Sequence, residues 1–166
     1  MTTYQIKPNG RKLHDLELNN EVVGKMKFSG FGFNMAEIIV RNARLFRIEP
    51  KSFWSGTRYV KEQDTLCLEF RMRWNGKIVM NTYFTSNPLQ FTFKRKGMFK
   101  NSFVLLNTDE SEVMSILPSF NWSKFKTFYT VEVPESLAGL EYIELLIMTG
   151  LYCVLYIQTQ ESAATA

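Results

Sequence analysis

The stretch from Leu145 to Ile157, LLIMTGLYCVLYI, has no charged side chain, and as a helix it would leave no polar stripe to face water. Such a segment must be buried in a bilayer, in a partner or in the core of its own chain. A spanning helix needs about 20 largely apolar residues. The run from Leu137 to Ile157 reaches that length only by including Glu141 and Glu144, and Gln158, Gln160 and Glu161 close it without flanking Lys or Arg. Burial in the chain's own core is therefore the favoured expectation, with a tail anchor as the rival. Pro134 cannot continue a strand ladder, and Glu135 and Ser136 make a helix start. From Ser136 to Gln160 the helix would be roughly 37 Å long at about 1.5 Å per residue.

Everything before Pro134 reads as strand. The hydrophobic share of 45%, with 14 Phe, 7 Tyr and 3 Trp, suits strands, and turn residues recur at short spacing. The expected strands are Tyr4–Lys7, Leu13–Leu18, Val22–Phe28, Ala36–Arg41, Arg44–Glu49, Thr57–Lys61, Thr65–Trp74, Lys77–Ser86, Leu89–Lys96, Ser102–Asn107, Glu112–Leu117 and Lys126–Val133. Asn75-Gly76 is the strongest hairpin signal, and Asn9-Gly10 and Asn19-Asn20 are weaker versions of it. Connections this short exclude crossovers, so the sheet is antiparallel. Alternation puts Leu66, Leu68, Phe70, Met72 and Trp74 on the core face, with Leu89, Phe91 and Phe93, and with Val22, Gly24, Met26 and Phe28. A glycine pointing inward at position 24 suggests close approach of another backbone, for which a central helix is the candidate. A spaced echo between LELNNEVVGKMKF and VLLNTDESEVMSILP is consistent with a repeat or with the shared grammar of hairpins.

A sheet with one apolar face and a single helix to cover it is best satisfied by wrapping around that helix. The expected fold is mainly β, a closed antiparallel barrel of about twelve strands threaded by one hydrophobic C-terminal α-helix. One domain spans the 166 residues.

Little of the sequence signals chemistry. His14 is the only histidine, and Cys67 and Cys153 have no CxxC spacing, so neither metal nor a catalytic triad is expected and no cofactor is implied. SGFGF, holding Phe31 and Phe33, lacks a dinucleotide fingerprint, and DESE at Asp109–Glu112 lacks the glycine and spacing of a calcium loop. The opening MTTYQIKPNGRK has no apolar leader core, so a reducing, cytoplasmic location, peripheral to a membrane, is expected. Net charge is +4, unevenly spread: of 20 Lys and Arg only Lys124 and Lys126 fall beyond Lys100, whereas half of the 16 Asp and Glu do. In KRKGMFK, Lys94, Arg95, Lys96 and Lys100 surround Met98 and Phe99, a composition suited to an anionic membrane. A cationic hairpin tip that keeps a sheet edge soluble would look the same.

The hairpin LELNNEVVGKM, the later hairpin FVLLNTDESEVMSIL and the ending YTVEVPESLAGLEYIELLIMTGLYCVLYI together resemble the tubby-like superfamily, which includes tubby C-terminal domains, phospholipid scramblases and plant LURP-one-related proteins. The resemblance implies a barrel threaded by the last helix, with Leu140, Ile143, Ile147, Leu151, Val154 and Leu155 along its axis. It also implies a non-enzymatic module that binds anionic phospholipid or phosphoinositide headgroups through basic side chains. The positions that match are Lys25 and Lys27, with Arg41 and Arg47 beside them; Lys94 and Lys96 join them from the charge pattern. The expected partner is an anionic membrane surface, with nucleic acid less favoured and no transmembrane span. Two rivals stay open: a protein-interaction barrel presenting Phe31, Phe33, Phe53 and Trp54, and a carrier with a ligand in a hollow axis.

Overall fold

In the computed structural model, which describes residues 1–30, 34–97 and 101–166, successive strands are joined by connections too short for a crossover, and the chain runs as a meander that closes on itself. Phe31, Phe33, Met98, Phe99 and Lys100 lie outside the described residues. The strands are β1 (Thr2–Pro8), β2 (Leu13–Leu18), β3 (Glu21–Ser29), β4 (Met35–Val40), β5 (Arg44–Pro50) and β6 (Thr57–Glu62). The second half comprises β7 (Thr65–Met72), β8 (Ile78–Thr82), β9 (Leu89–Arg95), β10 (Phe103–Leu106), β11 (Glu112–Asn121) and β12 (Lys126–Val133). Each strand pairs antiparallel with its neighbours, and β1 with β12 seals the barrel, Tyr4 standing opposite Val131. Closure leaves no free sheet edge.

The apolar C-terminal segment runs through this barrel, with one correction to its expected form. It is two helices, α1 (Glu135–Ala138) and α2 (Ile143–Thr165). Gly139, a poor helix former, closes α1, and the chain turns through Leu140 and Glu141 before descending along the axis. Phe84 stacks on Tyr142 at this turn, ring centroids 4.3 Å apart. In α2 the side chains of Ile143, Leu145–Leu151 apart from Gly150, Tyr152, Cys153, Val154 and Ile157 are buried; Leu140 and Leu155 are only partly so. The helix is long and apolar enough to cross a membrane, but 72% of its apolar window is buried inside the barrel. Along the axis, where a carrier would need a cavity, the side chains of α2 pack against the strands.

Glycine does permit a close approach, at Gly150 of the helix and not at Gly24. A Cβ at Gly150 would sit 2.6 Å from Met114 Cε and 3.0 Å from Ile116 Cδ1, both on β11. At Gly24 the nearest atoms belong to Leu16 and Ile39 of the neighbouring strands, at 3.4 and 3.5 Å.

Three β-bulges correct the expected faces. Glu17 pairs with Val22 while Leu16 pairs with Gly24, so Val23 is the extra residue. It turns inward and Val22 outward. Likewise Cys67 is extra between Leu66 and Leu68, and Val113 between Glu112 and Met114. Cys67 is thereby buried, and Leu66 moves to a half-exposed position. A bulge shifts side-chain phase by one residue, which period-two reasoning misses. The two echoing segments are both bulged hairpins, and β6–β7 repeats the device, which marks it as hairpin grammar. Trp74 and Leu89 are also corrections: Leu89 is exposed at the start of β9, and Trp74 lies beyond the end of β7. Arg73 N–H donates to Lys77 O and Gly76 N–H to Arg73 O, making a three-residue loop in which Gly76 takes φ 78°. Asn19-Asn20, in contrast, does form a two-residue turn, with φ 53° and 66°.

Candidate functional site: a cationic groove at the exit end of the barrel

Because the meander alternates direction, its connections alternate between two ends. At the entry end, where α2 begins, lie the β2–β3, β4–β5, β6–β7, β8–β9 and β10–β11 connections and the α1 segment. At the exit end, where α2 emerges, lie the β1–β2, β5–β6, β7–β8, β9–β10 and β11–β12 connections. Ion pairs fasten the helix at both ends. Arg41 Nε is 2.8 Å from Glu144 Oε1 and Arg44 Nη1 2.8 Å from Glu141 Oε1 at entry; Arg95 grips both carboxylate oxygens of Glu161 at 2.9 and 2.7 Å at exit. Burial pushes the Glu144 carboxyl up, with Arg41 opposing it.

The expected ligand-binding cations do not form one site. Lys25 and Lys27 point outward from β3, and Lys94 from β9, six strands away in a ring of twelve. They occupy opposite walls, so no single side face of the barrel carries both. Lys27 stands opposite Glu37, which Arg47 also engages at 3.7 Å, and Lys25 stands opposite Asp15 and Ile39. Arg41 is at the entry end, committed to Glu144. Lys96 is paired with Glu112.

Lys94 is different. It lines a groove of about 500 Å³ on the outer wall together with Arg73, Lys77, Trp74, Asn75, Gln90 and Thr92, and the lining continues to Asn107, Thr108 and Glu110 of the β10–β11 connection. Among the described residues, no carboxylate forms an ion pair with Arg73, Lys77 or Lys94. Three cations thus converge on a surface that also offers amide and hydroxyl donors. Such a surface can hold a multiply charged oxyanion such as a phosphate ester. Lys77 and Lys94, with Asn75, also border a second groove of about 460 Å³, floored by Met72, Ile157 and Ala164. Arg73, Lys77 and Trp74 were missed by the strand reading because Trp74 continued the apolar phase of β7. The signal that could have found them is the alternation of connections between two ends.

His14 lies apart from this groove, its ring edge-on to Phe28 at 6.2 Å and tilted to Tyr129 at 6.4 Å. Its Nδ1 has no partner among the described residues. Burial pushes the imidazole down to about 4 and the Tyr129 phenol up to about 12, Asp15 only partly offsetting the former. A histidine held neutral in the fold contributes stability above its ordinary value of 6.5, lost as pH falls toward 4. A fall from 6.5 to about 4 is worth about 3 kcal/mol. Urea unfolding of His14→Gln between pH 7 and 4 should therefore show a loss smaller than that of the wild type by about that amount. Parallel pH profiles would show that His14 is not buried neutral. Burial also pushes the Cys153 thiol up, leaving it unreactive. Among the described residues no three of His, Cys, Asp and Glu come together to hold a metal.

No family model, curated protein or solved structure matches this chain.

Proposed function

We propose that this barrel is a non-enzymatic, tubby-like binding module for the anionic headgroups of phospholipids, and that the headgroup sits in the Arg73–Lys77–Lys94 groove. The observation that carries the reading is the convergence of these three cations without carboxylate partners among the described residues, at a rim crowned by the exposed ring of Trp74. Elsewhere among the described residues Lys7, Arg41, Arg44, Arg47, Lys61, Arg95 and Lys96 each have a carboxylate partner. Uncompensated positive charge beside an aromatic side chain suits an anionic interface. Lys25 and Lys27, which the family resemblance favoured, stand near carboxylates on the opposite wall and are the weaker candidates.

Vesicle sedimentation tests the reading. The protein should bind vesicles containing phosphatidylserine or phosphatidylinositol over pure phosphatidylcholine, and binding should fall as salt shortens the Debye length below about 10 Å. Equal and salt-insensitive association with both would overturn it. Binding to neither would favour a barrel that presents its exposed Phe53 and Trp54 to a protein partner.

A further inference from the structure

All 3 tryptophans of the chain lie at the exit end of the barrel, and all project into solvent. Trp54 is 90% exposed, Trp74 98% and Trp122 77%. They come from three separate connections, β5–β6, β7–β8 and β11–β12. Phe53 stands edge-on to Trp54 at 4.8 Å, and Phe120 edge-on to Trp122 at 4.9 Å, so two of the three belong to aromatic pairs. Scattered exposed apolar residues need no explanation, but exposed rings gathered from separate loops to one end mark an interaction surface.

Charge decides what the surface meets. Among the described residues, the exit-end connections carry Arg11, Lys12, Lys51, Arg73, Lys77, Lys96 and Lys124 and no Asp or Glu, although Lys96 is paired with Glu112 of β11. The carboxylate that α2 brings to this end, Glu161, is neutralised by Arg95. The entry-end connections are the reverse: Asp64, Asp109, Glu110, Glu135 and Glu141 outnumber Arg41. The molecule is electrostatically polar along the axis of its own helix.

The aromatic loops are also held in place. Arg58, buried at the top of β6, donates to Ser55 O at 3.1 Å and to Asn34 Oδ1 at 3.2 Å, and its guanidinium lies 5.6 Å from the Tyr156 ring centroid of α2. The loop that carries Phe53 and Trp54 is thus tied to the central helix.

We infer that the barrel docks end-on to a bilayer with an anionic surface, its exit-end loops placing Trp54, Trp74 and Trp122 in the headgroup–acyl boundary while the acidic entry end faces away. Aromatic rings with polar edges favour that boundary, and the basic loops around them supply the attraction to anionic lipid. This orientation rests on the lipid-binding reading above and adds to it which face inserts. Lys94 and Lys77 then lie beside the membrane plane, where a headgroup can enter their groove from the edge.

The location of every tryptophan at one end makes intrinsic fluorescence a specific probe. The full chain is titrated with phosphatidylserine–phosphatidylcholine vesicles, with and without bromines on the acyl chains, while sedimentation measures binding independently. Bound protein should show blue-shifted emission quenched by the brominated lipid. Trp54→Ala with Trp74→Ala, which touches no buried contact, should weaken sedimentation roughly tenfold. Sedimentation without quenching or blue shift would leave the lipid-binding reading standing and overturn end-on insertion. No sedimentation would overturn both. A blue shift produced by an oligonucleotide in the absence of vesicles, with none produced by vesicles, would assign the surface to nucleic acid and overturn the inference.

Discussion

Ending the chain after Pro134 abolishes folding. The truncation removes α1 and α2, and with them Ile143, Leu145, Leu146, Ile147, Met148, Leu151, Tyr152, Val154 and Ile157, all buried against the inner face of the strands. Burying one such side chain is worth about 1.5–3 kcal/mol, and the whole stability of a domain is about 5–15 kcal/mol. The loss exceeds what any remaining contact can offset, and the emptied barrel would expose Phe28, Phe70, Phe93 and Ile116 along a hollow axis. The truncated chain should be insoluble, or collapsed without a cooperative thermal transition, when expressed beside the full chain without detergent. A soluble truncation that unfolds cooperatively would mean that the helix is an appendage such as a membrane anchor.

The second large effect concerns Gly150. Leucine there would drive its branched side chain into Met114 and Ile116 of β11 and toward Phe93 of β9, whose nearest atoms already lie 2.6, 3.0 and 3.7 Å from a Cβ at this position. Overpacking of this kind costs about 1–3 kcal/mol and occasionally more, and a residue confined between helix and wall should fall at the upper end. Gly150→Leu should lose about 3 kcal/mol or more, which for a chain of this size lowers the melting temperature by roughly 10 °C. Alanine is the informative contrast. Its Cβ meets the mobile end of Met114 at 2.6 Å, and the strain is offset by about 1 kcal/mol of helix propensity, so Gly150→Ala should melt close to wild type. Equal tolerance of both substitutions, by calorimetry, would contradict close packing of α2 against β11.

The barrel was largely legible because its signals are local and repeated. The β2 and β12 boundaries match the observed strands at both ends, since alternation and flanking turn residues mark them directly. What was not legible depends on single-residue departures. Val23, Cys67 and Val113 are each one residue inserted into a ladder, invisible to a pattern of period two yet enough to flip Val22 outward and bury Cys67. Gly139 and Gly150 look alike in sequence. Only packing shows that one ends a helix while the other lets a helix touch a wall. For the site, Lys94 stood out within a run of cations, but Lys96 from the same run is occupied by Glu112. Arg73 and Lys77 sit on a neighbouring hairpin, and closure of the sheet is what joins them to Lys94. The apolar phase of β7 continues one step past the end of the strand, so alternation alone places Trp74 on the core face. Its exposure is a property of the loop.

The most direct measurement of the functional account compares two charge reversals on opposite walls in the same vesicle sedimentation assay. Each cation near an anionic surface contributes about 1 kcal/mol, so Lys77→Glu with Lys94→Glu should weaken binding to phosphatidylserine vesicles by roughly thirtyfold or more. Lys25→Glu with Lys27→Glu changes net charge equally but lies across the barrel, and should weaken binding less than about threefold. Equal losses, or a larger loss from the Lys25 and Lys27 pair, would contradict the assignment of the anionic interface to the exit-end groove.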